Sequence, residues 1–280
     1  MPVALFIFAY FGLFFAVPFA IAIAIGLFNW DLLSAAVFVG ADNFLKMFKD
    51  KLFLNGLKVS FLFVGIEVPL ILALEMLLAV LLSKLGRFSQ KVYLTMIFLP
   101  VITPWLVVVM MWGFLFYPKV GLLPGFGQLV GLDLTSPLVS RDTALYAFIV
   151  MTIWKFVGFG AVIFLVGINE VPAVQYEAAI IDGAGGWAQF WHITLPLIRP
   201  ILLGMSITGF IGALQIFEPF FIMTRGGPGD ATRTFSLYLY QQAFEQLRFG
   251  YASAMALFMF LLLLGISILQ LVVVRTRWEY

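Results

Sequence analysis

The chain has 280 residues, of which 63% are hydrophobic, 17% aromatic and only 11% charged. Soluble domains carry roughly 25% charged residues, so this composition excludes a water-soluble enzyme and predicts a protein that crosses a membrane several times. The formal net charge is only +2 and the basic residues are scattered, which excludes nucleic acid as a partner.

Six apolar runs are long enough to cross a bilayer. We predict spans at 3–28, 56–82, 92–116, 143–168, 200–223 and 251–274. The first run is too long for the core of a signal peptide and follows no basic residue, so we expect it to be retained as a helix. Residues 1–280 are therefore predicted to form a single transmembrane domain with an all-α fold.

The connection between the first two spans, residues 29–55, is polar. Within it Phe44, Phe48 and Leu52 recur at helical spacing, which predicts a short helix lying at the membrane surface. The chain has no cysteine, and His192 is its single histidine. A thiolate or histidine metal site is therefore excluded, and no cofactor is expected in this chain.

Six spans would place both termini and the segment 169–199 on one side of the membrane. That side carries six basic residues: Lys84, Arg87, Lys91, Arg199, Arg275 and Arg277. The other side carries nine: Lys46, Lys49, Lys51, Lys58, Lys119, Arg141, Arg225, Arg233 and Arg248. By the positive-inside rule alone, segment 169–199 would lie outside the cytoplasm.

Segment 169–199 separates the fourth and fifth spans and is less apolar than either. Asn169 is a candidate cap for a helix with Pro172 in its first turn. We expect that helix to end near Gly183, where glycine lets the backbone reverse. Gly185 and Gly186 then permit a sharp turn into a second short helix over 187–192.

One face of the first of these helices is mostly apolar and carries a single acid. It contains Ala173, Val174, Glu177, Ile181 and Ala184, at intervals of three or four residues. Such a face either docks into a groove of a partner protein or packs against the protein's own helices. The pattern by itself leaves both alternatives open.

The run from Tyr176 to Ala184, with Leu195 and Pro196 after it, resembles the EAA coupling loop of ABC-transporter permeases. The resemblance implies a cytoplasmic loop that inserts into a cleft of an ATP-binding subunit, and it outweighs the charge distribution. On this basis Glu177 is the docking acid, and Gly183 makes the turn. The remaining motif positions are Ala178 and Ala179, which allow close approach, together with Asp182 and Ala184.

Two further stretches resemble binding-protein-dependent sugar permeases of the maltose, glycerol-3-phosphate and lactose branch. Residues 38–44 are similar to the segment after the first helix, with Ala41 in place of the usual Leu. Residues 223–229 and 249–252 are similar to the external loop before the last helix, although Arg225 replaces a small residue. Pro124 also departs from the family pattern, where Asn often follows the Gly-Leu-Leu run.

The resemblance implies the type I importer permease fold and the role of the first of two paired permeases for a carbohydrate. The implied partners are a second permease, two ATP-binding subunits and an extracytoplasmic solute-binding protein. No Walker A sequence is present, so ATP and magnesium would be bound by the ATP-binding subunits and this chain would not be an enzyme. The expected location is a bacterial or archaeal cytoplasmic membrane, with both termini in the cytoplasm.

In this family the solute passes between the helices that flank the coupling loop. The candidate pathway residues on those helices are Thr152, Lys155, Phe156, Phe159, Thr208, Gly212 and Gln215. Aromatic faces beside hydroxyl and amide groups suit sugars, which combine an apolar ring face with hydrogen-bonding edges. Ordinary helix packing would also account for these residues.

Four ionisable residues lie within or at the ends of the spans: Glu67, Glu75, Lys155 and Glu218. A charge in hydrocarbon costs roughly 2.5–3.5 kcal/mol on insertion scales, so each needs a partner or a water-filled cavity. Lys155 would serve either an anionic solute or a structural ion pair with one of the acids. An ion- or proton-coupled secondary transporter, with Glu67, Glu75 and Lys155 as a relay, is the rival hypothesis, but no inverted repeat supports it.

Overall fold

A computed structural model describes residues 2–118, 120–131 and 134–273. Lys119, Arg275 and Arg277 of the charge comparison, the two termini and the last residue of the predicted sixth span lie outside the described residues. The described elements that precede the long central helix are α1 (Pro2–Phe11), a π-helix (Gly12–Ala16), α2 (Val17–Gly26), β1 (Phe28–Asn29), β2 (Val37–Phe38), α3 (Asp42–Met47), α4 (Lys51–Ser83), α5 (Arg87–Ile102), α6 (Trp105–Leu115) and α7 (Leu122–Val130). The others are α8 (Ala144–Asn169), α9 (Ala173–Ile181), α10 (Gly186–Gln189), a π-helix (Phe190–Thr194), α11 (Leu195–Leu197), α12 (Arg199–Gln215), α13 (Glu218–Met223), α14 (Phe235–Tyr240), a π-helix (Gln241–Glu245) and α15 (Phe249–Val273).

Five helical segments in the described part of the chain are long and apolar enough to cross a membrane. They are Leu5–Gly26, Lys51–Ser83, Ala144–Asn169, Arg199–Met223 and Phe249–Val273. The pair α5 and α6 passes the same test jointly but is bent by 94°, so the number rises to six if the pair counts as one span. Each of these segments overlaps one of the six predicted runs.

The predicted third span, 92–116, is not one straight helix. It is divided at Thr103 and Pro104, both of which have extended backbone angles, with ψ values of 128° and 142°. Proline disfavours the helical conformation in the residue before it, and it cannot donate a backbone hydrogen bond to continue the helix. Hydropathy responds to neither effect, so the run looks continuous in the sequence.

The described part of the chain divides into two compact units, of which the first comprises residues 2–59 and 233–267. Its two short strands pair in antiparallel fashion, with Phe28 opposite Phe38. The Asn43 side chain donates to the carbonyls of Gly26 and Phe28 at 3.0 and 2.9 Å. Gly250 packs here without space for a side chain, because a Cβ would overlap the Phe28 carbonyl oxygen. These contacts hold the end of α2 against the start of α15.

Asp50 is the main polar anchor of the first unit. One carboxylate oxygen accepts from the backbone N–H groups of Leu52 and Phe53 and caps α4, while the other accepts from the hydroxyls of Tyr238 and Tyr251 at 2.5 and 2.9 Å. Partial burial acts to raise the pKa of Asp50, but these hydrogen bonds to the charged form outweigh it and lower the pKa. This cap also explains why the predicted surface helix is wrong in extent: α3 ends at Met47, and Leu52 already belongs to α4.

The second unit comprises the described residues of 60–232 and 268–273, and α8 is its central helix. Three glycines of α8 approach three different neighbours. A Cβ at Gly158 would overlap the Ile97 carbonyl oxygen of α5, one at Gly160 would overlap the Glu75 carboxyl group of α4, and one at Gly167 would overlap a methyl group of Ile201 in α12. Close backbone approach through small residues is the usual way for membrane helices to associate.

A Gly158→Ala variant is expected to be strongly destabilised, because the added methyl group meets backbone rather than a flexible side chain. Overpacking of this kind costs about 1–3 kcal/mol or more. Thermal unfolding of the purified protein in detergent measures the effect. Gly204→Ala in α12 is the matched control, since a Cβ there meets nothing within 4 Å. Equal stability of the two variants would contradict the close contact between α8 and α5.

The loop at 224–232 is closed by threonines. The hydroxyls of Thr224 and Thr232 lie 2.7 Å apart, and Thr232 also donates to the Gly227 carbonyl at 2.6 Å. Gly226 and Gly229 have positive φ angles, of 93° and 53°, which glycine adopts without strain. The glycines of this motif therefore form a compact turn.

Candidate functional site

The predicted coupling segment folds as a short helix followed by a glycine turn. After α9 the chain reverses at Gly183, which has a φ angle of 78°. The N–H of Gly183 bonds to the Ile180 carbonyl and that of Ala184 to the Ala179 carbonyl, at 3.0 and 2.8 Å. This pair of backbone hydrogen bonds is the Schellman motif, which favours glycine because one residue must adopt the left-handed conformation. The predicted turn at Gly183 is confirmed.

The predicted cap of this helix is wrong. Asn169 is the last residue of α8, and Pro172 occupies the position before α9. α8 thus runs to the very start of the coupling segment and only Glu170, Val171 and Pro172 separate the two helices. Asparagine is a common residue at helix caps, but Asn169 here lies in the last turn of α8.

The inner side of the coupling segment is tied to its own unit. The hydroxyls of Tyr176 and Thr194 lie 2.9 Å apart and join α9 to the following π-helix, and the Gln189 side chain donates to the Ala184 carbonyl at 2.9 Å. Val171, Phe190 and Leu195 pack against a buried apolar cluster formed by Met76, Ala79, Leu82, Phe164, Leu165, Ile168 and Ile198. The coupling segment is therefore attached to α4, α8 and the start of α12.

The outer side of the segment is apolar and exposed. We define the α9 surface as Val174, Glu177, Ile180, Ile181 and Trp187, all of which are exposed. Ile181 retains 85% of its accessible surface and Trp187 retains 75%. Contiguous exposed apolar groups around one acid are typical of a protein-interaction surface.

The other predicted coupling residues surround this surface. Ala178 and Asp182 are exposed, whereas Ala179 and Ala184 are half-buried on the side that faces the protein. Of the predicted helical face, Ala173 is also exposed. The structure thus brings these residues together, while their contact with an ATP-binding subunit stays a prediction.

A cavity of about 560 Å³ lies within the second unit. Six of the seven candidate pathway residues line it: Thr152, Phe156, Phe159, Thr208, Gly212 and Gln215. Its wall also contains Glu67, Glu75, Val101, Trp105 and Glu218, among others. A volume of this size accommodates a small molecule, and aromatic rings beside a few polar groups are the usual lining of such sites.

Lys155, the seventh candidate, does not line the cavity. It is only 3% exposed, and its Nζ donates to the carbonyls of Pro100, Val101 and Thr103 at 3.2, 3.4 and 2.6 Å. The ammonium also lies 5.1 Å from the centre of the Trp105 ring. These carbonyls are at the end of α5, where the helix break interrupts the backbone hydrogen bonds and where a cation is favoured, although the Pro100 carbonyl also accepts from the Thr103 N–H at 3.2 Å.

The predicted ion pair between Lys155 and an acid is also absent among the described residues: no carboxylate oxygen lies within 4 Å of its Nζ. This role of Lys155 could not be predicted from hydropathy, because the acceptors are backbone atoms at a bend that hydropathy does not indicate. Two features of the sequence could have indicated this role: Thr103-Pro104 interrupts one apolar run, and a lysine lies in the middle of another.

The family of the chain is decided by its match to a family model. Residues 75–278 match the family described as "Binding-protein-dependent transport system inner membrane component". The chain belongs to this family. It is thus a multi-pass permease component of an ABC transport system and not an enzyme, and the rival hypothesis of an ion-coupled secondary transporter is set aside.

Relatives that match over most of their length support the assignment of this chain to the permease family. The protein named "Probable ABC transporter permease protein YurN" of Bacillus subtilis (strain 168) is 34% identical over 273 residues, which cover 96% of this chain and 94% of the relative. The diacetylchitobiose uptake system permease protein NgcF of Streptomyces coelicolor is 37% identical over 91% of this chain and 74% of its own.

The fold of the permease also matches a solved transporter. A chain in the crystal structure of a bacterial ABC transporter involved in the import of the acidic polysaccharide alginate superposes with a TM-score of 0.86, at 22% identity, over 99% of this chain and 95% of that one. A second structure of the alginate transporter, in complex with an alginate pentasaccharide-bound periplasmic protein, matches equally well. The predicted type I importer permease fold is confirmed.

Proposed function

We propose that this permease is one of two membrane subunits of an ATP-driven carbohydrate importer and forms half of its translocation path. The observation that carries the proposal is the cavity, which lies beside α8 and α12, the helices that flank the coupling segment. Its Phe156, Phe159 and Trp105 rings offer apolar faces, and Thr208 and Gln215 offer hydrogen-bonding groups. Relatives named for diacetylchitobiose and alginate support the same solute class.

The proposed importer contains four kinds of subunit. A second permease would complete the path, and an extracytoplasmic binding protein would deliver the solute to it. Two ATP-binding subunits would bind ATP and magnesium in the cytoplasm, where both termini of this chain would also lie. The α9 surface, with Glu177 at its centre, would insert into a cleft of one ATP-binding subunit.

The attachment of the coupling segment suggests how movement would reach the cavity. When the ATP-binding subunits close, they would displace the α9 surface. Tyr176 and Thr194 join α9 to the following π-helix, and the apolar cluster beneath contains residues of both α4 and α8. Because packed interiors transmit strain rather than absorb it, α4 and α8 would move with the segment. Both helices contribute to the cavity wall through Glu75 and Thr152.

The proposed function is tested with the complete importer in liposomes. Uptake of labelled saccharides should require ATP enclosed in the liposomes, on the side of the ATP-binding subunits, and solute-loaded binding protein outside. Addition of the solute-loaded binding protein should raise ATP hydrolysis several-fold. If no saccharide is taken up while another solute class is, the carbohydrate assignment is wrong.

The proposed orientation has its own test, because the chain contains no cysteine. Single cysteines at Gln175 and at Gln246, both exposed, should react with a membrane-impermeant reagent from opposite sides of the membrane. In intact cells only Gln246→Cys should be labelled, and Gln175→Cys should react after permeabilisation. Thr232 is unsuitable as the external probe since it is fully buried. Labelling of Gln175→Cys in intact cells would place the coupling segment outside the cytoplasm and refute the orientation.

A further inference from the structure

The wall of the cavity carries acids and no base among the described residues that line it. Glu67, Glu75 and Glu218 contribute carboxyl groups. The lysine nearest in sequence to the cavity residues, Lys155, is turned away and its three N–H donors are used by backbone carbonyls. An anionic solute would therefore find no compensating cation on this half of the path.

Glu75 has an unsatisfied polar group at this wall. The side chain is 3% exposed, and its Oε2 has no hydrogen-bond partner among the described residues. The carboxyl group fits against the bare backbone of Gly160, which leaves room for it beside α8. A buried carboxyl oxygen without a donor is costly, so a molecule that enters the cavity with an N–H or O–H group is favoured at this point.

Glu67 lies two turns earlier on α4 and also lines the cavity, with 6% of its surface exposed. Both acids belong to a helix that hydropathy alone identifies as an ordinary span. Two carboxyl groups within one bilayer-spanning helix are expensive unless they face a polar pathway. Their position at the cavity, and not towards an ion-pair partner, is consistent with contact to a passing solute.

We propose that Glu67 and Glu75 form an acidic subsite that admits uncharged or ammonium-bearing saccharides and disfavours those with carboxylate or phosphate groups. The subsite defines the solute class more closely and rests on the proposed carbohydrate importer. It replaces the alternative of an anionic solute, which required Lys155 to face the path, whereas Lys155 binds backbone carbonyls. The carboxyl groups accept hydrogen bonds from sugar hydroxyls or amines, and an ammonium group stabilises their ionised form, whereas a carboxylate or phosphate in this poorly screened cavity finds no cation to offset its charge.

The electrostatic part of the proposal is measured without knowledge of the solute. Ala213 and Thr208 line the cavity, and each is replaced in turn by a single cysteine in the complete importer. The rates of modification of this chain by three methanethiosulfonates of similar size, bearing an ammonium, a hydroxyl or a sulfonate group, are followed by mass spectrometry. The exposed Gln246→Cys variant supplies the reference ratio of rates.

The cavity cysteines should favour the ammonium over the sulfonate reagent at least about tenfold more than the reference does. Combined Glu67→Gln and Glu75→Gln substitutions should return the ratio towards the reference, and Glu75→Gln alone should do so in part. Glu170→Gln, an exposed acid outside the cavity, should leave it unchanged. The Glu75→Gln variant and the Glu67→Gln, Glu75→Gln double variant should also take up a uronate analogue of the transported sugar more readily than the parent does.

A ratio equal to the reference in the parent, or an elevated ratio that survives the double substitution, would overturn the acidic subsite. Cavity cysteines that react with none of the three reagents would overturn it too, because the wall would not be open to entering molecules. Failure of the carbohydrate assignment is a separate result: the reagent ratio would still respond to Glu67 and Glu75, while no saccharide would be taken up.

Discussion

A Glu177→Lys variant is expected to show solute-stimulated ATP hydrolysis that is at least about tenfold slower, while its insertion into the membrane remains normal. Glu177 is the single acid of the exposed α9 surface, which the proposed function places in a cleft of an ATP-binding subunit. The family resemblance implies a basic residue opposite this acid. A lysine would then leave two like charges facing each other in a partly desolvated interface, which costs several kcal/mol.

The measurement compares co-purification of the ATP-binding subunits and stimulated ATP hydrolysis with the amount of this chain in the membrane. Glu170→Lys is the matched control, since it makes the same charge change on an exposed acid between α8 and α9 but outside the α9 surface. It should assemble and hydrolyse ATP normally. Normal uptake by Glu177→Lys would show that α9 is only a surface helix.

Composition and short-range patterns were sufficient for much of the architecture. A charged fraction of 11% required a membrane protein, and run lengths located the apolar helices. The turn at Gly183 could be predicted because a left-handed residue at a helix end has few alternatives to glycine. The cavity positions could be predicted only through the family resemblance, since a phenylalanine on a core face and one on a cavity wall have the same sequence signature.

Two of the misread features, at Asp50 and at Lys155, depend on contacts distant in sequence. Asp50 ends one helical pattern and caps the next because Tyr238 and Tyr251 fix its carboxylate, nearly two hundred residues away. Lys155 was assigned to a solute or an ion pair because its carbonyl partners leave no trace in side-chain composition. In each case the local pattern was correct, and a polar group supplied by another element decided the outcome.

Lys155→Met is expected to destabilise the protein without rescue by a change at Glu75. Methionine replaces most of the apolar stem of the side chain but removes the N–H donors that bind the carbonyls of Pro100, Val101 and Thr103. Unsatisfied buried polar groups cost about 1–3 kcal/mol each, so a loss of about 3 kcal/mol overall is reasonable after some relaxation. For a protein of this size that corresponds to a fall in Tm of roughly 6–12 °C.

Thermal unfolding in detergent separates this capping role from the earlier alternatives. If Lys155 neutralised an acid, Glu75→Gln would restore part of the stability lost in Lys155→Met, whereas loss of a cap leaves the double variant at least as unstable as the single one. Lys91→Met, which removes an exposed lysine from α5 itself, should change Tm little. Because Val101 and Trp105 line the cavity on either side of the break, the bend that Lys155 caps determines the position of this part of the cavity wall. An unaltered Tm in Lys155→Met would mean that the bend between α5 and α6 is held by packing alone.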